Sequence, residues 1–266
     1  MIVDIHNHIL PELDDGPADM HQALNMAKAA AASGITSIIA TPHHQSEKYV
    51  CSPSEIIDKV DKLNTLLKEK NVKLDILPGM EIHLYPDICT DLTKAPPSAL
   101  PLANKKYILI ELPYSYFPRY TESLLYELQI AGYIPILAHP ERNSVIRKQP
   151  NLLYQLIKRG ILVQVTAGSI TGSFGRKTQS LVDKLLKHHF VHFIASDAHN
   201  TTSRPFKLTS AYEYIDKTYT ASYTDYFKKN AACIITGSEF SIKTPEKIKR
   251  KNKFFSFFLK SEDTYD

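Results

Sequence analysis

The sequence predicts an α/β fold whose parallel strands close into a TIM-like (β/α)7 barrel, with its chemistry at the C-terminal ends of the strands. Three observations lead there. Short apolar runs alternate with helical stretches through seven strands, the pattern of parallel strands joined by crossover helices. Seven or eight such units in about 240 residues suit a closed barrel better than an open sheet. No glycine-rich phosphate loop comes after the first strand, which argues against a dinucleotide-binding fold. An open, doubly wound sheet is the alternative.

The elements run in order. Ile2, Val3 and Ile5 mark a buried strand that leads into His6 and His8. Residues 19–33 form a helix, capped by Asp19, with Ala23, Met26, Ala27 and Ala30 at helical spacing and Gly34 as the stop. Residues 36–40 are a strand ending at Thr41-Pro42-His43-His44, and 54–70 a helix with Ile56, Ile57, Val60, Leu63, Leu66 and Leu67 on one face. Residues 73–79 are a strand leading to Glu81, and 87–102 an irregular or weakly helical, proline-broken stretch. Strand 107–111 is followed by helix 120–131, strand 133–138 by helix 151–159, and strand 161–165 by helix 177–188. Strand 191–195 ends at Ser196-Asp197-Ala198-His199, with helical segments after it around 208–216 and 224–230.

Composition narrows the class. With 43% hydrophobic and 23% charged residues, the 266-residue chain reads as an ordinary soluble protein. No apolar run approaches the length of a membrane span, and no signal peptide is visible at the N-terminus. Cys51, Cys89 and Cys233 are scattered and form no Cys-x-x-Cys pair, so a disulfide framework and a thiolate zinc site are both disfavoured and a cytoplasmic location is expected. The net charge is +4, and residues 243–266 carry seven basic against four acidic side chains, leaving the body almost neutral. The body is therefore not a nucleic-acid binder by charge. Residues 1–240 are expected to form the catalytic barrel. Residues 241–266 form a basic and aromatic tail, Lys247 to Lys253 followed by Phe254-Phe255-Ser256-Phe257-Phe258-Leu259, flexible or in peripheral contact with an anionic membrane.

The strand ends carry the chemistry. The first offers His6 and His8, which in an extended chain point the same way. The second offers His43, the third Glu81, the fourth Glu111, the fifth His139, and the seventh Asp197 and His199. Only the sixth, ending at Val165-Thr166, offers no ionisable group. In a parallel barrel these ends meet at one mouth. Eight imidazoles and carboxylates converging there predict a centre with several metal ions. The absence of thiolate suits Mn²⁺, Fe²⁺, Co²⁺ or Zn²⁺. A carboxylate bridging two such ions supports displacement at phosphorus, because the ions activate water and spread phosphoryl charge. Arg142 and Arg204 each lie a few residues beyond a candidate ligand, and a planar guanidinium pairs bidentately with phosphate oxygens.

His6-x-His8, Asp15-Gly16, Thr41-Pro42-His43, Glu81, His139-Pro140-Glu141-Arg142 and Ser196-Asp197-Ala198-His199 together resemble the polymerase and histidinol phosphatase (PHP) superfamily. Leu13-Asp14-Asp15-Gly16-Pro17 and Arg204-Pro205 make the chain similar to the bacterial manganese-dependent protein-tyrosine phosphatases of capsule and exopolysaccharide biosynthesis. The resemblance covers residues 1–240 and implies a distorted TIM-like (β/α)7 barrel with three metal ions, Mn²⁺ first among them. It implies that His6, His8, Glu81 and Asp197 hold one ion, Glu81, Glu111 and His139 a second, and Asp15, His43 and His199 a third. Arg142 and Arg204 would grip the phosphate. The implied substrate is a tyrosine-phosphorylated protein such as a bacterial tyrosine autokinase. A small-molecule phosphatase, such as one for histidinol phosphate, is the other reading; a catalytically inert module bound to a polymerase is a third, disfavoured because every ligand position is filled.

Neighbouring residues receive plainer readings. A phenol leaves with a pKa of about 10, so no dedicated general acid is required, although His199 or a bound water could serve. Cys51 lacks the Cys-x5-Arg partner of thiol phosphatases. Asp4 supports a ligand histidine or is a plain strand residue, Asp14 makes a turn, Glu141 supports its loop, and His44 and His83 are neighbours rather than ligands. His21, His188, His189 and His192 are structural. Arg119 is a lesser phosphate candidate. Tyr114, Tyr116, Phe117 and Tyr120 either pack the barrel rim or wall a substrate.

Overall fold

The computed structural model describes residues 1–46 and 48–249. Its elements are β1 (Val3–Asn7), α1 (Met20–Ala32), β2 (Ser37–Ala40), β3 (His43–His44), α2 (Pro53–Glu69), β4 (Asp75–Pro78), β5 (Glu81–His83), α3 (Ile88–Thr93), β6 (Tyr107–Glu111) and α4 (Thr121–Ile130). They continue with β7 (Ile134–Ala138), α5 (Ser144–Lys148), α6 (Asn151–Lys158), β8 (Leu162–Thr166), α7 (Ala167–Ile170), α8 (Arg176–Lys187), β9 (Phe193–Ala195), α9 (Leu208–Thr218) and α10 (Ala221–Thr236).

All strand pairs are parallel, in two ladders of order β1-β2-β4 and β3-β5-β6-β7-β8-β9. The nine strands occupy seven positions, because two strands are each broken in the middle. Pro42, which has no N–H to give a ladder, separates β2 from β3. Gly79 and Met80 separate β4 from β5, and a Cβ on Gly79 would stand 2.9 Å from Ile39 Cγ2. Single backbone bonds span the gaps: Thr41 N to Asn7 O at 2.9 Å and Glu81 N to Pro42 O at 3.1 Å. The seam between last and first strands is equally thin, with Asp197 N donating to His6 O and His8 N to Ala198 O, both at 2.8 Å. The expected distorted barrel is therefore what the chain forms, with no continuous ring of ladder bonds.

Strand alternation divides the core into two. Val3, Ile5, Ile39, Leu109, Ile136, Leu162, Phe193 and Ala195 fill the interior, closed from below by Ala231 and Ile234 of α10. Their alternates, including Ile38, Ile82, Ile108, Ile110, Val163, Val165 and Ile194, face the helices. The helices form where expected, with edges shifted by up to three residues apart from the C-terminal end of α10. α2 opens on a full capping box, Ser52 with Glu55, and Pro53 in its first turn. Three pieces lay outside the sequence reading: α5 and α7, which are too short to show helical periodicity, and the last turns of α10, which run on to Gly237 in the left-handed conformation.

The first nine residues of the expected tail lie on the body. Glu246 and His188 exchange backbone and side-chain bonds of 2.9 and 3.0 Å, Asn151 pairs with both backbone groups of Ile248, and Ile248 is buried. The aromatic run from Phe254 to Leu259 lies outside the described residues. Among the described residues, no helix is long and apolar enough to cross a membrane.

Candidate metal centre

The mouth is built by a departure from strict alternation. Val3 and Ile5 belong to the interior core, so His6 and His8 should face away from it. The register between β1 and β2 shifts between Asp4 and Asn7, however, which places one extra residue in β1. A bulge of this kind lets two successive residues share a side and re-aims the side chains beyond it. His6 and His8 thereby join the interior set above Ile5. His139 (φ 29°), directly after β7, and Asp197 (φ 53°), two residues after β9, adopt the left-handed region. That conformation is costly for a non-glycine residue, and such positions cluster at functional sites.

Three donor atoms surround one point, and Asp197 stands beside two of them. His6 Nε2 lies 3.3 Å from His8 Nε2, 3.2 Å from Glu81 Oε2 and 3.5 Å from Asp197 Oδ1. His8 Nε2 lies 3.4 Å from Glu81 Oε2 and 3.3 Å from Asp197 Oδ1. Donors about 2.1 Å from a common ion at tetrahedral angles stand about 3.4 Å apart, so the spacing of His6, His8 and Glu81 fits a metal ion. A second group shares Glu81: His139 Nε2 is 2.8 Å from Oε1, His43 Nδ1 is 3.0 Å from Oε2, and Glu111 lies 3.9 and 3.7 Å from those nitrogens. In a third, Asp15 Oδ1 is 3.2 Å from His199 Nε2 and 3.6 Å from His43 Nε2, with His8 beside them. All nine residues named as ligands in the sequence thus converge. The structure adds that His43 lies between two groups, one ring nitrogen facing each.

The groups behind the imidazoles also fit metal binding. His6 Nδ1 donates to Gln164 Oε1 at 2.9 Å, His8 Nδ1 to Asp14 Oδ2 at 2.6 Å, and His199 Nδ1 to the Asp197 carbonyl at 3.0 Å. Each bond commits Nδ1 to carrying the proton and leaves an Nε2 lone pair aimed inward, the arrangement that ligating histidines adopt. Glu81 Oε2, His43 Nδ1 and His199 Nε2 are buried without a hydrogen-bond partner. Polar atoms left so are costly unless something outside the chain satisfies them.

The electrostatics match. Burial alone would lower the His6 and His8 pKa values, but Glu81 and Asp197 around His6, and Asp14 beside His8, raise them instead. Burial alone would raise Glu81 and Asp197, yet His6, His43 and His139 hold Glu81, and Arg142 and His6 hold Asp197, well below the usual carboxylate range. Protons on imidazoles here compensate buried carboxylates, a role divalent cations fill better.

The two arginines sit on the far oxygen of Asp197. Arg142 Nη2 donates to Asp197 Oδ2 at 2.5 Å and to Thr166 Oγ1 at 3.1 Å, while Arg204 Nη2 reaches the same Oδ2 at 2.9 Å. Phe174 covers Arg142 at 4.6 Å, and Gly168 leaves it room, since a Cβ there would stand 2.9 Å from the ring. Arg142 Nε is buried with no partner.

The plainer readings fare unevenly. Glu141 supports its loop, accepting from Thr166 N and Ser169 Oγ. His192 accepts from Val163 N, and burial pushes its pKa down to about 3. His188 and His189 hold the C-terminal segment through backbone carbonyls. Asp4 forms no hydrogen bond to a histidine side chain among the described residues; it accepts from Ser196 N and Oγ, and from Asn7 Nδ2, and so anchors the residue before Asp197. Two residues do more than the sequence suggests. Asp14 accepts from His8 and from His43 N as well as making its turn with Gly16. Gln164, one strand alternation before Thr166, gives the supposedly silent sixth strand a part in the site. Its signal was an uncharged polar residue inside an otherwise apolar strand.

Comparisons with known proteins agree with this geometry. The family model for capsular polysaccharide synthesis proteins CpsB/CapC matches residues 2–236. Tyrosine-protein phosphatase YwqE of Bacillus subtilis (strain 168) is 40% identical over 257 residues, 97% of this chain and 100% of that protein. Tyrosine-protein phosphatase CpsB of Streptococcus pneumoniae is 27% identical, over 83% of this chain and 92% of that one. A crystal structure from work on YwqE of Bacillus subtilis and CpsB of Streptococcus pneumoniae, described as metal-dependent tyrosine phosphatases, superposes with a TM-score of 0.90 at 40% identity, covering 94% of this chain and all of that one. The organophosphorus hydrolase of Deinococcus radiodurans shares only the fold, at 12% identity and a TM-score of 0.52 over 88% of this chain and 92% of that one. The chain belongs to the CpsB/CapC family of capsular polysaccharide synthesis proteins.

Proposed function

We propose that this chain is a metal-dependent protein-tyrosine phosphatase whose ions are held at the barrel mouth. His6, His8, Glu81 and Asp197 would hold one ion, Glu81, Glu111 and His139 a second, and Asp15, His43 and His199 a third. Mixed imidazole and carboxylate donors without thiolate suit Mn²⁺, Fe²⁺, Co²⁺ or Zn²⁺, and the family resemblance puts Mn²⁺ first. Divalent ions there supply a water that is nucleophilic near neutral pH and neutralise charge on phosphoryl oxygens.

The chain's own residues bind and orient the ester. The observation that carries this reading is the division of Asp197: Oδ1 faces the imidazoles of His6 and His8, while Oδ2 holds both guanidiniums. Arg142 and Arg204 are thereby fixed beside the metal point with further N–H groups to give a phosphate. The Nδ1–H bond of His199 to a carbonyl favours its use as a ligand over its use as a general acid. A phenolate, with a pKa of about 10, leaves without full protonation.

The test compares a phosphotyrosine peptide, a phosphoserine peptide and histidinol phosphate, with Mn²⁺ and with chelator. The phosphotyrosine peptide should turn over fastest, with activity lost in chelator and restored by Mn²⁺. Faster histidinol phosphate hydrolysis would replace the substrate assignment. Full activity in protein shown by metal analysis to be empty would refute the metal site.

For the physiological partner, the family's role in capsular polysaccharide synthesis supports a bacterial tyrosine autokinase or its substrates. The described cysteines are unpaired thiols, which suits a reducing cytoplasm. Lys148, Lys184, His188, Lys247 and Lys249 line one groove of about 680 Å³, just where the basic and aromatic segment leaves the described residues. This supports peripheral contact with an anionic membrane. Ending the chain after Lys249 should weaken sedimentation with phosphatidylserine vesicles and leave phosphatase activity intact; unchanged sedimentation would remove the tail's membrane contact.

A further inference from the structure

We propose that the loop from Pro113 to Phe117 is a docking ridge for the polypeptide carrying the phosphotyrosine, with Tyr114 and Tyr116 as its contact residues. This rests on the phosphatase reading above and adds to it which part of the rim recognises protein rather than phosphate.

The loop is clamped in a specific way. Four successive carbonyls, Pro113 to Tyr116, all accept hydrogen bonds from Asn143 and Ser144. Asn143 Nδ2 donates to Pro113 O at 2.6 Å and to Tyr116 O at 2.9 Å. Ser144 N donates to Tyr114 O at 2.8 Å and Ser144 Oγ to Ser115 O at 2.7 Å. Asn143 Oδ1 meanwhile accepts from Val145 N and Ile146 N, so this buried side chain donates two hydrogen bonds from its nitrogen and accepts two at its oxygen. The backbone is thus held by the two residues directly after Arg142.

The side chains on this held backbone point outward. Tyr114 is 68% and Tyr116 57% exposed, while Phe117 next to them packs against the core. A lone exposed aromatic, such as Tyr126 on α4, is ordinary. Two on one turn, with four successive carbonyls already committed, are different. The loop is ordered before anything binds, and a tyrosine ring adds large contact area with few torsions to freeze.

The place decides the occupant. The ridge begins two residues after Glu111 and is tied to the residues beyond Arg142. A polypeptide whose phosphate lies against Arg142 has flanking residues within reach of this rim. A free phosphate ester or a small phenol need not touch it. The occupant we assign is therefore the substrate's own main chain and apolar side chains next to its phosphotyrosine.

The experiment measures kcat and KM for a phosphotyrosine peptide and for p-nitrophenyl phosphate, in wild type, Tyr114→Ala, Tyr116→Ala, the double variant and Tyr114→Phe/Tyr116→Phe. The double alanine variant should lose tenfold or more in kcat/KM on the peptide, mostly through KM, and stay within twofold on p-nitrophenyl phosphate. The phenylalanine pair should keep most peptide activity. Equal losses on both substrates would overturn docking in favour of a wall for the reacting ring, and no loss on either would overturn it outright. A concentration-dependent dimer that the double variant dissolves, with peptide kinetics unchanged, would assign the ridge to a second copy instead. Wild type inactive on both substrates would strike the phosphatase reading itself, a different failure from any of these.

Discussion

Glu81→Gln should empty the mouth of metal and abolish turnover in a protein that stays folded. Glu81 is a carboxylate on which two donor groups meet, with Oε1 facing His139 and Oε2 facing His6, His8 and His43. An amide of the same shape removes the negative charge that both groups share. Outer partners of metal ligands cost about 10–100-fold in affinity, and a shared ligand should cost at least the upper end of that range. Metal content after gel filtration reads the result directly, and circular dichroism confirms the fold. A variant that kept full metal content would refute the bridging role. pH supplies an independent check. His6, His8 and His43 have raised pKa values in the metal-free arrangement, despite burial, because carboxylates face them. A metal ion must displace those protons. Apparent affinity should therefore rise with pH through and above the ordinary imidazole range, with proton release measurable by calorimetry in buffers of different ionisation enthalpy.

Arg142→Ala should give the opposite pairing: metal retained, turnover lost. Removing one preorganised donor to the charge that develops in the transition state costs about 10²–10³-fold in kcat. Metal content should hold because Asp197 keeps Arg204 on Oδ2 and presents Oδ1 to the histidines unchanged. Arg142→Lys should recover little, since an ammonium cannot reproduce the two-pronged contact of a guanidinium. Loss of metal together with activity would show instead that Arg142 serves to hold Asp197. Parallel assays of kcat and metal stoichiometry on one preparation separate the two outcomes.

Much of the fold was legible because burial writes period and spacing into the chain. The interior set and its alternates are visible in Tyr107-Ile108-Leu109-Ile110-Glu111 without coordinates, and the breaks at Gly34, Gly132 and Gly160 mark where helices return to strands. The candidate site was legible for a related reason. Imidazoles and carboxylates at the ends of apolar strands have no hydrophobic reason to be there, so their recurrence stands out. Asp14 and Gln164 were not legible as partners of ligands. Asp14 looks like any turn aspartate beside Gly16, and its contact with His8 depends on how that turn lies over the mouth. Gln164 matters only because β8 stands where its amide meets His6, 158 positions away in the chain.

By itself, then, the amino-acid order determined the strand–helix alternation, the donor types and their place at strand ends. These are local properties, settled by periodicity and by the chemistry of each side chain. Only the tertiary structure decided how His6 and His8 turn inward, through an extra residue in β1 that breaks the very alternation used to predict them. Only it decided that Asp197 divides its oxygens between imidazoles and guanidiniums, and that Asn143 and Ser144 hold a distant loop by four carbonyls. Each of these joins residues remote in sequence, and such contacts depend on register and close packing, which no window along the chain contains.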